Sequence, residues 1–179
     1  YNGTGSDVDM SGYAIGICNN GHGDVNGIPF DPAIHPLYEV LTPLSGTLAD
    51  GDAFVITRYE EDENGDPVDG NYADPSLGAL MDFNAGTSSG TPCSFNGNDW
   101  LGLYKLNSDG TETLLDVLGP TPTSSSPSYD SFTCFGLPDQ FRNQTLIRKS
   151  SVMSGNTDWA SSGGTDAETS EWTVHPNNY

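Results

Sequence analysis

The chain has 179 residues, enough for one domain with its own core, and 22 glycines with 12 prolines punctuate it too densely for long helices. Five basic residues against 25 acidic ones leave a formal net charge of −20, which excludes a nucleic-acid backbone or an anionic lipid surface as the natural partner. No apolar run approaches the roughly 20 residues of a membrane-spanning helix, while 8 Tyr, 7 Phe and 3 Trp supply too much large apolar surface for a disordered chain.

In chain order, Met10 to Cys18 alternates, with Tyr13, Ile15 and Ile17 on one face and Ala14, Gly16 and Cys18 on the other, the pattern of a half-buried strand. A turn-rich loop and a Pro-bearing connection follow, to Pro36. Tyr38 to Leu44 and Ala53 to Tyr59 read as two strands around a polar turn. Glu60 to Asp74 is an acidic loop, and Pro75 to Phe83 has room for a short helical turn.

The clearest local signal is a hairpin: Asp99 to Leu106, then Asn107-Ser108-Asp109-Gly110, then a returning strand from Thr111 to Leu118. Gly119 to Asp139, rich in Pro, Ser and Thr, reads as a surface excursion. Thr145 to Val152 and Glu171 to Val174 complete seven strands, with polar turns from Asn156 onward. The expectation is an all-β fold of sandwich type, a single domain over 1–179, with no long helix.

Chemistry-bearing residues are few. Glu60, Asp62 and Asn64 alternate ahead of Gly65, like the opening half of a calcium loop, and Asp66 and Asp69 extend the set; Asn71 stands where the closing acid is expected, so calcium competes with a solvated acidic loop. Cys18, Cys93 and Cys134 lack metal-ligand spacing; one disulfide plus a free thiol is the natural count, and Cys93 with Cys134 is the preferred pair among three. Asn2-Gly3-Thr4 and Asn143-Gln144-Thr145 are glycosylation sequons, meaningful only in a eukaryotic or archaeal source. His22, His35 and His175 have no nucleophile motif beside them, and Asp99 with Asp116 is an uninformative carboxylate pair. With no nucleophile elbow, zinc helix or phosphate loop, the chain does not read as an enzyme. The indoles of Trp100, Trp159 and Trp172 read as packing residues rather than ligand platforms, and Arg148 and Lys149 as strand cations that either oppose sheet pairing at an edge or meet the acidic surface.

The order of several segments resembles the lamin-tail domain, an immunoglobulin-like sandwich. They are Val8-Asp9-Met10-Ser11-Gly12-Tyr13, Leu44-Ser45-Gly46-Thr47-Leu48-Ala49-Asp50-Gly51-Asp52 with Phe54-Val55-Ile56, and Phe95-Asn96-Gly97-Asn98-Asp99 with Leu101-Gly102-Leu103-Tyr104. Leu115-Asp116-Val117-Leu118-Gly119, Thr145 to Val152, and Ser170-Glu171-Trp172 follow in the family's order.

The resemblance implies a secreted or cell-surface module without catalysis, used in assembly or adhesion. The alternatives are an accessory domain of a secreted nuclease or phosphatase, or a carbohydrate-binding module. The family's opening strand ends in a Tyr-Asn pair, and Tyr1-Asn2 heads this sequence, so that strand is expected outside it. The expected partner is then a second copy or a neighbouring β module that completes the sheet. Segments 19–36, 60–75 and 119–144 read as insertions.

Overall fold

The computed structural model describes residues 1–19, 24–25, 28–29, 37–64, 66, 68, 75–86, 91–95, 97–122, 133–138 and 144–176. The fold is all-β, mostly antiparallel, with one short helix and no long one among these residues. The strands are β1 (Val8–Asp9), β2 (Tyr13–Cys18), β3 (Asp24–Val25), β4 (Ile28–Pro29), β5 (Val40–Pro43), β6 (Thr47–Leu48) and β7 (Ile56–Thr57). They continue with β8 (Phe83–Asn84), β9 (Trp100–Leu106), β10 (Glu112–Leu118), β11 (Thr133–Cys134), β12 (Leu137–Pro138), β13 (Gln144–Arg148) and β14 (Trp172–Pro176); the helix α1 is Trp159–Gly163.

The central sheet runs β10-β9-β2-β5, antiparallel throughout. Its hairpin β9–β10 is the one read from Asn107 to Gly110. Asn107 donates its N–H to the Thr111 carbonyl at 2.8 Å, the Asp109 carboxylate accepts from the Thr111 amide at 3.0 Å, and Gly110 takes φ 82°, which a residue without Cβ adopts freely. The register shifts between Leu114 and Asp116, so a bulge re-aims the second half of β10.

Two other expectations change. The strands at Tyr38 to Leu44 and Ala53 to Tyr59 do not pair with each other: β5 joins β2, while β7 is two residues long and pairs in parallel with β8. Nor is Gly119 to Asp139 purely a surface excursion. Pro122 is fully buried, and β11 and β12 form a tight hairpin that drives Cys134 into the core at 0 % exposure. At its turn Phe135 (φ 60°) and Gly136 (φ 70°) are both left-handed, as a two-residue hairpin of this hand demands, and Phe135 holds this disfavoured conformation with its N–H on the Gly163 carbonyl and its ring against the core.

The core lies on one face of the sheet. Cys18, Trp100, Tyr104 and Val117 meet Cys134 and Trp159 there. Gly16 faces Gly102 across β2 and β9, and this pair makes the space: a Cβ on Gly102 would stand 2.4 Å from the Trp100 ring, and one on Gly16 2.9 Å from both Tyr104 and Tyr38. Aromatic rings fill the space where these two residues carry no side chain. Tyr38 and Tyr104 meet edge-on at 5.3 Å.

Candidate functional site

The opposite face of the same sheet is only partly covered. Strand alternation puts Tyr13, Ile15 and Ile17 of β2 beside Lys105, Leu103 and Leu101 of β9. Ile17 is fully buried, but Ile15 and Leu103, in the two central strands, remain half-buried. Over them runs a groove of about 330 Å³, walled by Val8 and Leu48 of the β1–β6 pair, by Phe54 and Ile56, and by Tyr1 and Asn2. A smaller hollow of about 150 Å³ shares Ile15 and Leu103 and continues toward Leu118, Asp116 and Trp172. The walls and floor of the larger groove carry no charged side chain.

Local sequence explains the walls. Asp9 caps the 3-10 turn Met10–Gly12 by accepting from Ser11 N–H at 2.9 Å, which separates β1 from β2, and Val8 and Tyr13 both line the groove. The hydrogen bonds from Ser11 hold the Asp9 carboxyl below the usual aspartate range. Asn2 ties the N-terminal segment down: its N–H donates to Asp52 O at 2.8 Å, its carbonyl accepts from Gly51 N–H at 2.7 Å, and its side-chain NH₂ donates to Ser6 O and Leu48 O. Asn2 is 3 % exposed. The nitrogen that a glycan would need at this sequon is therefore buried and committed to two carbonyls. Asn143 lies outside the described residues.

At the far end of the face stands a polar clasp. Arg148 of β13 reaches Asp116 of β10 with one guanidinium nitrogen and Glu171 with the other, at 2.6 Å for Glu171. The hydroxyl of Ser162 on α1 donates to Glu171 at 3.0 Å and accepts from the Trp172 indole N–H at 2.9 Å, and Asn156 donates to the second Glu171 oxygen at 2.8 Å. The guanidinium carbon sits 4.7 Å from the Trp172 ring centre. Burial opposes charge on Arg148, but hydrogen bonds and attraction from Asp116 and Glu171 outweigh it and raise its pKa. Burial likewise pushes Glu171 up, while donors Asn156, Arg148 and Ser162 pull harder and leave its carboxyl below the usual range. The clasp joins the β13–β14 pair and α1 to the edge of the central sheet. Both its carboxylates are engaged by a guanidinium, so neither is set up as a general acid or base.

The other sequence candidates are placed as follows. Asp62 is the hub of a turn closed on itself: its carboxylate accepts from the Asn64 and Asp66 amides at 2.8 and 2.9 Å, and Asp62 N–H donates to Asp66 O. Val68 N–H donates to Glu60 O at 3.0 Å, and Asp69 and Gly65 lie outside the described residues. Among the described residues no three His, Cys, Asp or Glu side chains converge to hold a metal ion. Cys93 and Cys134 are not bridged in this structure: all three cysteines are free thiols, with Cys93 donating to the Ile56 carbonyl and Cys134 to the Gly163 carbonyl in separate surroundings. Trp100 and Trp159 are in the core, and Trp172 is half-buried. His22 and His35 lie outside the described residues; His175 is half-buried on β14, paired across the strands with Thr145.

Sequence reading missed the groove, because its walls come from four separate segments whose convergence no local pattern announces. The one available signal was the alternation of β2, which identifies Ile15 as a face residue without saying whether that face is covered. Comparisons of the chain with protein-family models, curated proteins and solved structures find no match.

Proposed function

We propose that this chain is a non-catalytic, extracellular module of assembly or adhesion that docks an extended segment of a neighbouring protein in the groove over Ile15 and Leu103. The observation that carries the reading is the apolar hollow above the two central strands, where a sheet of this kind ordinarily has a second layer. Further support comes from the lamin-tail-like order of segments, which implies an immunoglobulin-like sandwich and a secreted or cell-surface setting. The acidic composition suits a salt-rich exterior. An extended occupant fits because β5 and β6 each pair on one side only among the described residues, leaving backbone edges that a further strand can use. The carbohydrate-binding reading loses ground, since two of the three indoles it needs on a solvent face lie in the core.

The test uses a fluorescein-labelled peptide of alternating valine and threonine with serine flanks. It should bind the chain saturably, and Leu103→Ser should weaken binding about tenfold, equivalent to ~1.4 kcal/mol, with the thermal transition of the variant still cooperative. Equal binding to both chains, or none to either, refutes docking in the groove.

A further inference from the structure

Resting on that docking reading, we infer that the occupant of the groove is an extended apolar segment flanked by lysine or arginine, supplied by a different protein rather than by a second copy of this chain. The argument is one of charge. The floor is uncharged, but the loops that run past its N-terminal end, beside Asn2 and Leu48, carry Asp7, Asp50 and Asp52, all three exposed. Asp7 accepts from the Asp50 amide at 3.0 Å, Asp50 from the Gly5 amide at 2.8 Å, and Asp52 from the Ala53 amide at 2.8 Å. These bonds fix the carboxylates in place, and none of the three forms an ion pair with Lys or Arg among the described residues. At the other end the acid is already answered, since Arg148 holds Asp116. Lys105 is the one cation on this face of β2 and β9 among the described residues. The mouth is therefore negative at one end and apolar along its length.

Like charges brought together at an interface weaken the complex, and opposite charges speed its formation. A second copy carries another −20 and would approach that end against repulsion. A segment with an apolar centre and basic ends instead buries its side chains over Ile15 and Leu103 while its flank meets the three aspartates. The apolar contacts supply the affinity and the charges select the partner.

Three labelled peptides decide it, sharing the valine–threonine core and differing only in lysine, serine or glutamate flanks. Fluorescence anisotropy should rank them lysine, serine, glutamate, with lysine about tenfold tighter than serine in ~0.05 M salt and the gap nearly closed in ~0.5 M. The combined variant Asp7→Asn, Asp50→Asn, Asp52→Asn keeps the oxygen acceptors and should lose the lysine preference while still binding the serine peptide. Should that variant not fold, the salt series on the unmodified chain decides. Equal binding of all three peptides leaves docking intact and overturns the basic-partner inference. Lysine-peptide binding untouched by Leu103→Ser means counter-ion adsorption and overturns it too. If no peptide binds and light scattering finds a dimer, a second copy is the occupant and the inference fails. If none binds and the chain is monomeric, the docking reading itself falls.

Discussion

The two faces of the central sheet differ in how they are finished. One is sealed by Trp100, Tyr104, Tyr38 and Trp159 lying over the Gly16–Gly102 pair. The other has Ile17 fully buried but Ile15 and Leu103 half open beneath a groove. The same strands, through alternate residues, thus serve stability on one side and leave surface for contact on the other. Apolar alternation makes a face capable of burial; whether the chain covers it depends on elements far away in sequence.

Substitutions should separate the faces sharply. Trp100→Ala on the sealed face should cost ~3–5 kcal/mol in urea unfolding, against about 1 kcal/mol for Ile15→Ala on the open one. Comparable costs would mean that the groove is part of the core. Gly16→Ala, which forces Tyr104 or Tyr38 to move, belongs with the sealed face at ~1–3 kcal/mol.

The clasp should have a smaller effect. Arg148→Ala should lose about 2 kcal/mol, less than the ~3–5 kcal/mol of a fully buried pair, because its groups stay 20–24 % exposed. Arg148→Lys should recover only part of it, since an ammonium cannot fork to Asp116 and Glu171 together. Acid should undo the same feature. The Glu171 carboxyl titrates lower folded than unfolded, so its contribution is present above the unfolded value of ~4.3 and disappears as pH falls through the folded value. A pH series of urea midpoints should therefore fall less steeply in Glu171→Gln than in the unmodified chain. Parallel curves would remove Glu171 from the account.

The smallest effect is kinetic. Burial raises all three thiol pKa values, Cys18 to about 12, yet Cys93 alone is half-exposed. A thiol reagent should therefore modify Cys93 first and the other two only on unfolding. Finding a single titratable thiol in denaturant without reductant would restore the Cys93–Cys134 bridge.

Strands β2, β9 and β10 were legible because their signals are local: alternation in Tyr13 to Cys18, and an Asp-Gly turn between two apolar runs. Arg148 was legible as a cation seeking acids, but not its partners, since Asp116 lies 32 residues away and Glu171 23. Short strands such as β8 and β11 escaped, because two residues carry no period and tertiary contacts alone hold them. The Cys134 thiol misled for a similar reason: Pro- and Ser-rich flanks suggest a surface loop, while the left-handed turn at Phe135–Gly136 folds the segment inward.

The central claim, that the open face is the docking surface, is tested most directly by following methyl resonances of the full chain during titration with the lysine-flanked peptide. The account predicts saturable shifts concentrated at Ile15, Leu103, Ile56 and Val8, with Ala14 on the sealed face unmoved. Shifts confined to the Glu60–Asp66 turn or to the sealed face, with Ile15 and Leu103 unchanged, would contradict it.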